Sequence, residues 1–275
     1  MTILVTGATG TVGRHVVRQL LDRGESVRAL SRDPQRANLP HQVEVIRGDL
    51  ADAESFGRAV DGCEAVHLIT FTGEFGEPLT NGPELIAAAE KAGVRRASVL
   101  GGWDQSTLEP ALESAHLPWA LLAPVEFMAN AREWAPEIVS DRRVRTLADW
   151  PSAMVHEADI AAVAVQVLLD ASGDLTGGQT YQLTGPEALT PAERAARIGA
   201  ALGEEVTWLQ LTEDEERERL RSFGYDEDYV EFGIELAKNP PVIGQVVQDT
   251  VPRLTGRPGR TFAQWAQENV ELFRS

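Results

Sequence analysis

The feature that most constrains this chain is a glycine-rich turn between a short apolar run and a helical pattern, close to its first residue. Ile3–Thr6 form the apolar run, and Gly7-Ala8-Thr9-Gly10-Thr11-Val12-Gly13 follows it. Val12, Val16 and Leu20 then recur four residues apart, as on one helix face. Glycines in such a unit let the backbone turn tightly and approach a pyrophosphate, whose charge the helix amides hold. The segment predicts a dinucleotide site whose contacts are Gly7, Thr9, Gly10, Thr11, Val12 and Gly13.

Further apolar runs follow, each separated from the next by a helical segment. They lie at Ser26–Leu30, Val43–Arg47, Ala65–Thr70, Ala97–Leu100 and Trp119–Ala123. This alternation predicts an α/β fold with a doubly wound parallel sheet of the Rossmann type. Ligands of such sheets bind at the carboxyl ends of the strands. Those ends are Gly7, Ser31, Gly48, Thr70, Gly101 and Pro124, and we count Pro124 among the cofactor contacts.

The pattern changes beyond Pro186, where a second part of the chain begins. Thr190 as cap, Pro191 after it and Glu193 three residues after the cap predict a helix start. Thr261 and Gln264 predict a second capping box, at the start of the final helix. The acidic stretch from Thr212 to Glu235 carries an apolar stripe, which we interpret as an inward face or a lid over the substrate. The stripe consists of Leu220, Phe223, Tyr225, Tyr229, Phe232 and Leu236. We expect a single domain over 1–275, with a core at 1–185 plus a terminal helix at 261–273, and a small substrate lobe at 186–255.

Charge and cysteine content exclude several classes of partner. The formal net charge of −17 repels phosphate backbones and anionic lipids, so neither nucleic acid nor a membrane surface is expected as a partner. The single cysteine, Cys63, excludes an intramolecular disulfide and is interpreted as a packing residue. We find no membrane-spanning run, signal peptide or cluster of metal ligands, and expect a soluble cytoplasmic protein without a metal. The oligomeric state stays open, with a monomer as one option.

The end of the second predicted strand selects between NAD and NADP. Ser31 and Arg32 occupy this position, and a hydroxyl beside a guanidinium suits a 2′-phosphate. Arg36 or Arg14 would add positive charge. Asp33 would instead favour a free ribose hydroxyl, unless it caps its own turn. The charge balance predicts NADPH or NADP as the cofactor.

The glycine turn and several later segments resemble the atypical short-chain dehydrogenase/reductases, in particular the NmrA-like proteins. The resemblance implies that Asp49 and Leu50 flank the adenine and that Thr70 and Phe71 lie beside the ribose on the nicotinamide side. It also implies that Phe127 forms a packing wall near the nicotinamide. The matching segments are Thr6–Gly10, Arg28–Pro34, Gly48–Leu50, Val155–Ala161, Leu189–Glu193 and Phe262–Trp265.

Typical members of this superfamily carry a serine after the fifth strand and a Tyr-x-x-x-Lys pair, and both are missing here. Neither Lys91 nor Lys238 has a tyrosine four residues before it. The serine position reads Gly101-Gly102, and we count both glycines with the cofactor site. The catalytic residues are therefore unknown from the sequence. The remaining candidates are Asp104 and His156.

These features predict an NADPH-dependent ketoreductase in which the substrate or water supplies the proton. General acid catalysis contributes about 10²- to 10⁴-fold, whereas positioning supplies effective molarities of about 10⁵ to 10⁸ M. Tryptophans such as Trp134, Trp150 and Trp208 favour a bulky aromatic substrate, and the chain is similar to polyketide-tailoring, angucyclinone-type ketoreductases of antibiotic biosynthesis. The alternatives are an NmrA-like dinucleotide-sensing regulator without turnover and an isomerase or quinone-type reductase.

Overall fold

The computed structural model describes residues 1–72 and 76–274, and its main element is an all-parallel sheet of seven strands. Along the described chain the strands are β1 Thr2–Val5, β2 Ser26–Ser31, β3 Glu44–Arg47, β4 Ala65–Ile69, β5 Phe71–Thr72, β6 Glu77–Pro78, β7 Arg96–Leu100, β8 Trp119–Pro124, β9 Arg143–Thr146, β10 Gly177–Leu183 and β11 Thr207–Gln210. The sheet order is β10-β8-β7-β4-β1-β2-β3. The predicted doubly wound α/β fold is confirmed. The sequence did not predict β10, whose first residues are exposed and polar or glycine.

The strand order creates a crevice at one point of the sheet. Val5 of β1 is in register with Ala29 of β2 on one side and with His67 of β4 on the other. The chain therefore runs outward through β2 and β3 and returns to the opposite side of β1. At such a reversal the loops after neighbouring strands diverge, and ligands of α/β sheets bind there.

Eleven α-helices and four short 3₁₀ helices accompany the strands in the described chain. The α-helices are α1 Gly13–Asp22, α2 Ala53–Val60, α3 Gly82–Lys91, α4 Leu108–Glu113, α5 Ala135–Asp141, α6 Glu157–Leu169, α7 Pro191–Leu202, α8 Glu213–Ser222, α9 Glu227–Lys238, α10 Thr250–Thr255 and α11 Phe262–Glu268. The 3₁₀ helices are Pro34–Arg36, Met128–Trp134, Val242–Gln245 and Val270–Phe273. Among these described helices, none has the length and apolar character needed to cross a bilayer.

Two compact units share the chain. The first contains Met1–Pro124, Glu157–Leu183 and Thr250–Gly256, and therefore the whole seven-stranded sheet. In its core, α2, α3 and α4 pack on the sheet through residues such as Phe56, Leu85 and Leu108. Helix α6 lies beside α1 and against β4 and β7, and almost all of its residues are buried.

The second unit contains Val125–His156, Thr184–Asp249 and the chain from Arg257 onward. Its core includes Trp134, Ile198, Phe262 and Trp265, and it holds the parallel pair β9 and β11. The capping boxes predicted at the starts of α7 and α11 are both present. These short-range signals depend only on side chains three residues apart.

The division between the units differs from the sequence prediction at three places. The segment Val125–His156 was predicted within the core at 1–185 but belongs to the second unit. We assigned the terminal helix to the sheet core, but α11 packs on α7 and belongs to the second unit, because Phe262 and Trp265 face that helix's cluster. Conversely, α10 lies within the lobe predicted at 186–255 but contacts α6 and β10, and so belongs to the first unit. The single-domain organisation over 1–275 stays a prediction.

The acidic stretch after Thr212 forms two helices, α8 and α9, that are separated at Gly224, where φ is 89°. Leu220 is buried as predicted, and in α9 the buried residues are Val230 and Ile234. The break changes the helical phase, so a single stripe cannot continue through both helices. The predicted inward orientation is wrong for three aromatic residues, which are exposed: Phe223, Tyr229 and Phe232.

Candidate functional site

The glycine turn, residues 7–13, leads from the carboxyl end of β1 into α1. Gly7 has a φ of 60°, and its carbonyl oxygen accepts a hydrogen bond from Gly10 N at 2.9 Å. At Gly13 a β-carbon would lie 2.0 Å from that same oxygen, because the start of α1 packs directly on the turn. At Gly10 a β-carbon would meet only this oxygen, at 3.1 Å. The turn itself therefore requires Gly7 and Gly13, whereas the outer side of Gly10 is open.

The amino end of α1 has the properties of an anion site. Val12 precedes the helix, and no side chain caps it. Thr9 is exposed and Thr11 is half-buried on the same turn. An uncapped helix start carries partial positive charge and free amides, which suit a phosphate. Together with the open side of Gly10, this arrangement fits the pyrophosphate of a dinucleotide.

Arg14 strengthens the turn in a way that the sequence did not indicate. Its Nη2 donates to the carbonyl oxygen of Thr9 at 2.6 Å, and its Nε donates to that of Gly10 at 3.2 Å. The sequence suggested Arg14 only as additional charge near a phosphate. In the structure the guanidinium binds two carbonyl groups of the turn, of which Gly10 O also accepts from Arg14 N at 3.2 Å, and it keeps a positive charge beside the turn.

The charged residues at the end of β2 have different surroundings in the structure. Asp33 Oδ1 accepts from Gln35 N at 3.1 Å, and its Oδ2 lies 3.6 Å from Nε of Arg36. The carboxylate thus caps its own 3₁₀ turn, as one of the two interpretations proposed. Arg32 is exposed and has no ion-pair partner within residues 1–72 and 76–274. Ser31 Oγ accepts from Asp33 N at 3.3 Å, which leaves its hydroxyl proton available.

The turn after β3, residues Gly48–Leu50, is held by two residues that the sequence analysis missed. Ser55 Oγ accepts from Asp49 N and donates to Asp49 O, both at 2.9 Å. Asn81 Nδ2 donates to the carbonyl oxygen of Leu50 at 3.0 Å. The available signal was the position of Ser55 in the first turn of α2 and of Asn81 directly before α3. Both anchor the turn that the family resemblance assigns to the adenine.

The ends of β4 and β7 are joined by a hydrogen bond between their loops. Gly102 N donates to Thr70 Oγ1 at 2.8 Å, and a β-carbon on Gly102 would lie 2.9 Å from the ring of Phe71. Gly101 N donates to Leu122 O at 2.9 Å. The structure therefore brings Thr70, Phe71, Gly101 and Gly102 together at the carboxyl edge of the sheet. Pro124 ends β8 on the same edge.

Two of the predicted site residues lie in the second unit. Phe127 immediately precedes the 3₁₀ helix that begins at Met128, and it bridges to Val155. His156 is 2% exposed, and its Nε2 lies 3.2 Å from Oε2 of Glu268 on α11. This contact gives His156 a structural role within the second unit. Asp104, the other catalytic candidate, lies exposed in the loop after β7 in the first unit.

Tyr181 and Tyr225 each donate a hydrogen bond to another part of the protein. Tyr181 on β10 donates to the carbonyl oxygen of Leu175 at 3.4 Å, and burial raises the pKa of its hydroxyl. Tyr225 donates to Oε1 of Glu133 at 3.4 Å, and burial raises the pKa of Tyr225 to about 12. A raised pKa keeps each hydroxyl protonated at neutral pH, so neither is poised as a base.

His67 lies in the middle of β4, away from the carboxyl edge. Its side chain is fully buried, and Nδ1 lies 3.3 Å from Ser98 Oγ on β7. Its Nε2 is buried without a hydrogen-bond partner in the part of the chain that the structure describes. Burial lowers the pKa of His67 to about 4. The histidine is therefore a neutral core residue, as the sequence analysis interpreted it.

We expect His67 to make the protein acid-sensitive. The histidine pKa is about 4 in the folded state against 6.5 in its ordinary state, so the unfolded chain binds more protons between these values. The contribution of neutral His67 to the free energy of unfolding is complete above the ordinary pKa and is lost as pH falls toward the folded-state pKa. The loss is about 2 kcal/mol between pH 7.5 and pH 5. Urea unfolding at both pH values should show His67→Leu losing less stability than the wild type by this amount. The exposed His41→Asn should behave like the wild type, and an unchanged pH dependence in His67→Leu would contradict the assignment.

Within the described ranges, no three His, Cys, Asp or Glu side chains come together in a way that could hold a metal ion.

Comparison with known proteins shows to which family the chain is related. Residues 7–107 match the NAD(P)H-binding family. The chain is 36% identical to the (4-alkanoyl-5-oxo-2,5-dihydrofuran-3-yl)methyl phosphate reductase of Streptomyces griseus, over 98% of this chain and 99% of that protein. It is 32% identical to the NAD(P)H azoreductase of Xenophilus azovorans, with the same coverage of both chains.

Solved structures show the same fold at lower identity. The NADPH complex of the quinone oxidoreductase QOR2 from Escherichia coli superposes with a TM-score of 0.80 at 24% identity, covering 97% of this chain and 99% of that one. The transcriptional regulator NmrA, in its NAD complex, superposes with a TM-score of 0.71 at 19% identity, covering 98% and 95%. The chain belongs to the NmrA-like atypical short-chain dehydrogenase/reductases. The predicted class, an oxidoreductase that uses NADPH or NADP, is confirmed.

Proposed function

We propose that this protein reduces a conjugated, electron-poor acceptor with NADPH, and that the proton comes from water or from the substrate rather than from a side chain. One observation carries the proposal. The described residues that directly follow β4 and β7, Thr70–Thr72 and Gly101–Gln105, include a single titratable side chain, the exposed Asp104. NADPH bound across this edge supplies a hydride. An exposed Asp104 as the one carboxyl group among these described residues favours acceptors whose hydride adduct is a stabilised anion that water can protonate.

The relatives support this acceptor chemistry. Their names specify an oxo-dihydrofuran that carries an alkanoyl group, azo compounds and quinones. In each class the reducible bond belongs to a conjugated or electron-poor group. Such acceptors need less help from a general acid, whose contribution of about 10²- to 10⁴-fold is smaller than that of positioning.

The chain's own residues bind and orient the reactants in this proposal. The glycine turn and α1 hold the pyrophosphate, and Arg32 with Ser31 binds the 2′-phosphate and so favours NADPH over NADH. The Thr70–Gly102 hydrogen bond holds together the loops after β4 and β7, which would lie beside the nicotinamide. The ring of Phe71 lies close to Gly102 and would help to keep water from the nicotinamide.

The ketone of a bulky aromatic polyketide, as in antibiotic biosynthesis, is the second candidate acceptor. The observation that favours it is an aromatic cluster in the second unit. The rings of Tyr225 and Tyr229 stack at 4.1 Å, and Phe232 lies 6.0 Å from Tyr229. Tyr229 and Phe232 are exposed and offer a surface for flat ring systems. A ketone with a neighbouring hydroxyl would carry its own proton donor.

The test is NADPH consumption with four acceptors, combined with product identification by mass spectrometry. The acceptors are an alkanoyl-substituted oxo-dihydrofuran phosphate, a quinone, an aromatic azo compound and a hydroxylated polycyclic ketone. We expect turnover with at least one of the first three. Turnover of the ketone alone would overturn the proposal in favour of the second candidate. NADPH binding without turnover of any acceptor would instead favour a dinucleotide-sensing regulator.

We also expect no single ionisable side chain to be essential for reduction. Asp104→Asn, His156→Gln, Tyr181→Phe, Tyr225→Phe and Tyr229→Phe should each lower kcat by less than about a hundredfold, the scale of one general acid. The measurement is kcat at saturating NADPH, with circular dichroism as the folding control. A drop of about a thousandfold in a folded variant that still binds NADPH would identify a protein acid and overturn this mechanism.

A further inference from the structure

Trp103 is exposed to an unusual degree for its type. It is 59% exposed, more than any other aromatic side chain among the large exposed apolar residues of the described chain. A tryptophan ring has a large apolar area, so a ligand that covers its exposed part gains contact energy. A single exposed apolar residue alone means little, but this one lies at the carboxyl edge of the sheet on a short loop that hydrogen bonds hold on both sides.

The position of Trp103 is the carboxyl edge of the sheet. It directly follows Gly102, whose amide donates to Thr70 Oγ1 and where an added β-carbon would lie 2.9 Å from the ring of Phe71. Trp103 also follows the glycine pair that replaces the serine of typical members. The side chain therefore begins one residue from the group that we assign to the nicotinamide end.

The loop that carries Trp103 is anchored on its far side as well. Ser106 Oγ donates to Glu109 Oε2 at 2.5 Å and accepts from Leu108 N at 2.9 Å. Thr107 N donates to the carbonyl oxygen of Leu79 at 2.9 Å. Only Trp103, Asp104 and Gln105 lie between the two anchors. A ring on so short a loop loses little conformational freedom when a ligand covers it.

We propose that Trp103 is the stacking surface for a planar, conjugated acceptor, and hence a determinant of substrate specificity. This inference rests on the proposed function and deepens it, because it selects flat ring systems among electron-poor acceptors. An indole offers a broad, rigid face for such rings. Its place after Gly101-Gly102 lets stacking energy take over the orienting role that a hydrogen bond from serine has in typical members.

The test compares Trp103→Ala and Trp103→Phe with the wild type on a planar polycyclic quinone and on a small aliphatic acceptor with the same reactive group. Trp103→Ala should raise KM for the planar quinone about tenfold, which corresponds to about 1.4 kcal/mol. Trp103→Phe should retain most of the affinity because it keeps a ring. KM for the aliphatic acceptor and Kd for NADPH should stay within about twofold of the wild type in both variants. Leu209→Ala, which removes another exposed apolar side chain, is the control and should change none of these values.

The outcomes separate this inference from the proposed function. Wild-type turnover of the planar quinone, with an unchanged KM in Trp103→Ala, would overturn the role of Trp103 and leave the proposed function intact. An equal loss of NADPH affinity or of the aliphatic activity would show a structural role and overturn it too. If the wild type reduces neither acceptor, the proposed function fails. Equilibrium titration of the planar quinone into NADP-loaded wild type and Trp103→Ala then decides the role of Trp103, since equal Kd values would overturn it.

Discussion

Gly10→Val should abolish NADPH binding while the protein stays folded, and Gly13→Ala should destabilise the fold itself. A β-carbon at Gly10 meets only the Gly7 oxygen, at 3.1 Å, and otherwise extends to the open side where we propose that the pyrophosphate binds. Blocking two charge-assisted hydrogen bonds there corresponds to a loss of about 10²- to 10⁴-fold in affinity. At Gly13 the same atom would lie 2.0 Å from a backbone oxygen that cannot move aside. We expect a cost of about 3 kcal/mol or more in the free energy of unfolding.

Calorimetric titration with NADPH and urea unfolding followed by circular dichroism measure the two effects separately. Each variant is a control for the other, because we expect Gly10→Val to lose NADPH affinity and Gly13→Ala to lose stability. Unchanged NADPH affinity in Gly10→Val would place the cofactor away from this turn. Wild-type stability in Gly13→Ala would contradict the close packing of α1 on Gly7.

Arg32→Ala should weaken NADPH binding by about 10- to 100-fold and leave NADH binding within about twofold of the wild type. The reason is that Arg32 is exposed at the end of β2 and has no ion-pair partner in the described chain, so its charge is available for the 2′-phosphate. Arg36→Ala should cost less, because Arg36 lies beside Asp33 and is largely in solvent. Kd values for both cofactors, measured by titration at fixed ionic strength, give the ratio directly.

Arg58→Ala is the control for the loss of one positive charge, since Arg58 pairs with Glu54 on the exposed side of α2. It should weaken neither cofactor. Equal losses for NADPH and NADH in Arg32→Ala would assign Arg32 to the shared part of the dinucleotide. No loss for either would remove it from the site.

The parts of the fold that the sequence predicted well rest on short-range signals. The glycine turn and the Thr190 and Thr261 capping boxes each depend on residues a few positions apart, and each has the expected geometry. The parts that it missed depend on distant partners. Strand β10 pairs with β8 although its first residues, Gly177–Thr180, are exposed and polar or glycine, so no apolar pattern marks it.

The candidate site likewise has parts that lie within one segment of the chain and parts that join distant segments. The sequence could propose the end of β2 and the glycine turn as cofactor contacts because each lies within one local segment. The hydrogen bond between Gly102 and Thr70 joins loops 32 residues apart, and nothing in either segment alone predicts it. Arg14 is the intermediate case, since its two carbonyl partners lie only four and five residues away. A long donor side chain directly after the last glycine was a readable signal.

The first unit is made of three separate segments of the chain, which has a consequence for the synthesis of the protein. Strand β8 ends at Pro124, and its outer neighbour β10 is complete only at Leu183, after the segment Val125–His156 of the other unit has been made. Helix α10, which packs on α6 and β10, follows later still, at Thr250–Thr255. During synthesis on the ribosome, β8 therefore forms the edge of the sheet until β10 has been made. Because each unit consists of several separate segments, a single cut in the chain cannot separate one unit from the other.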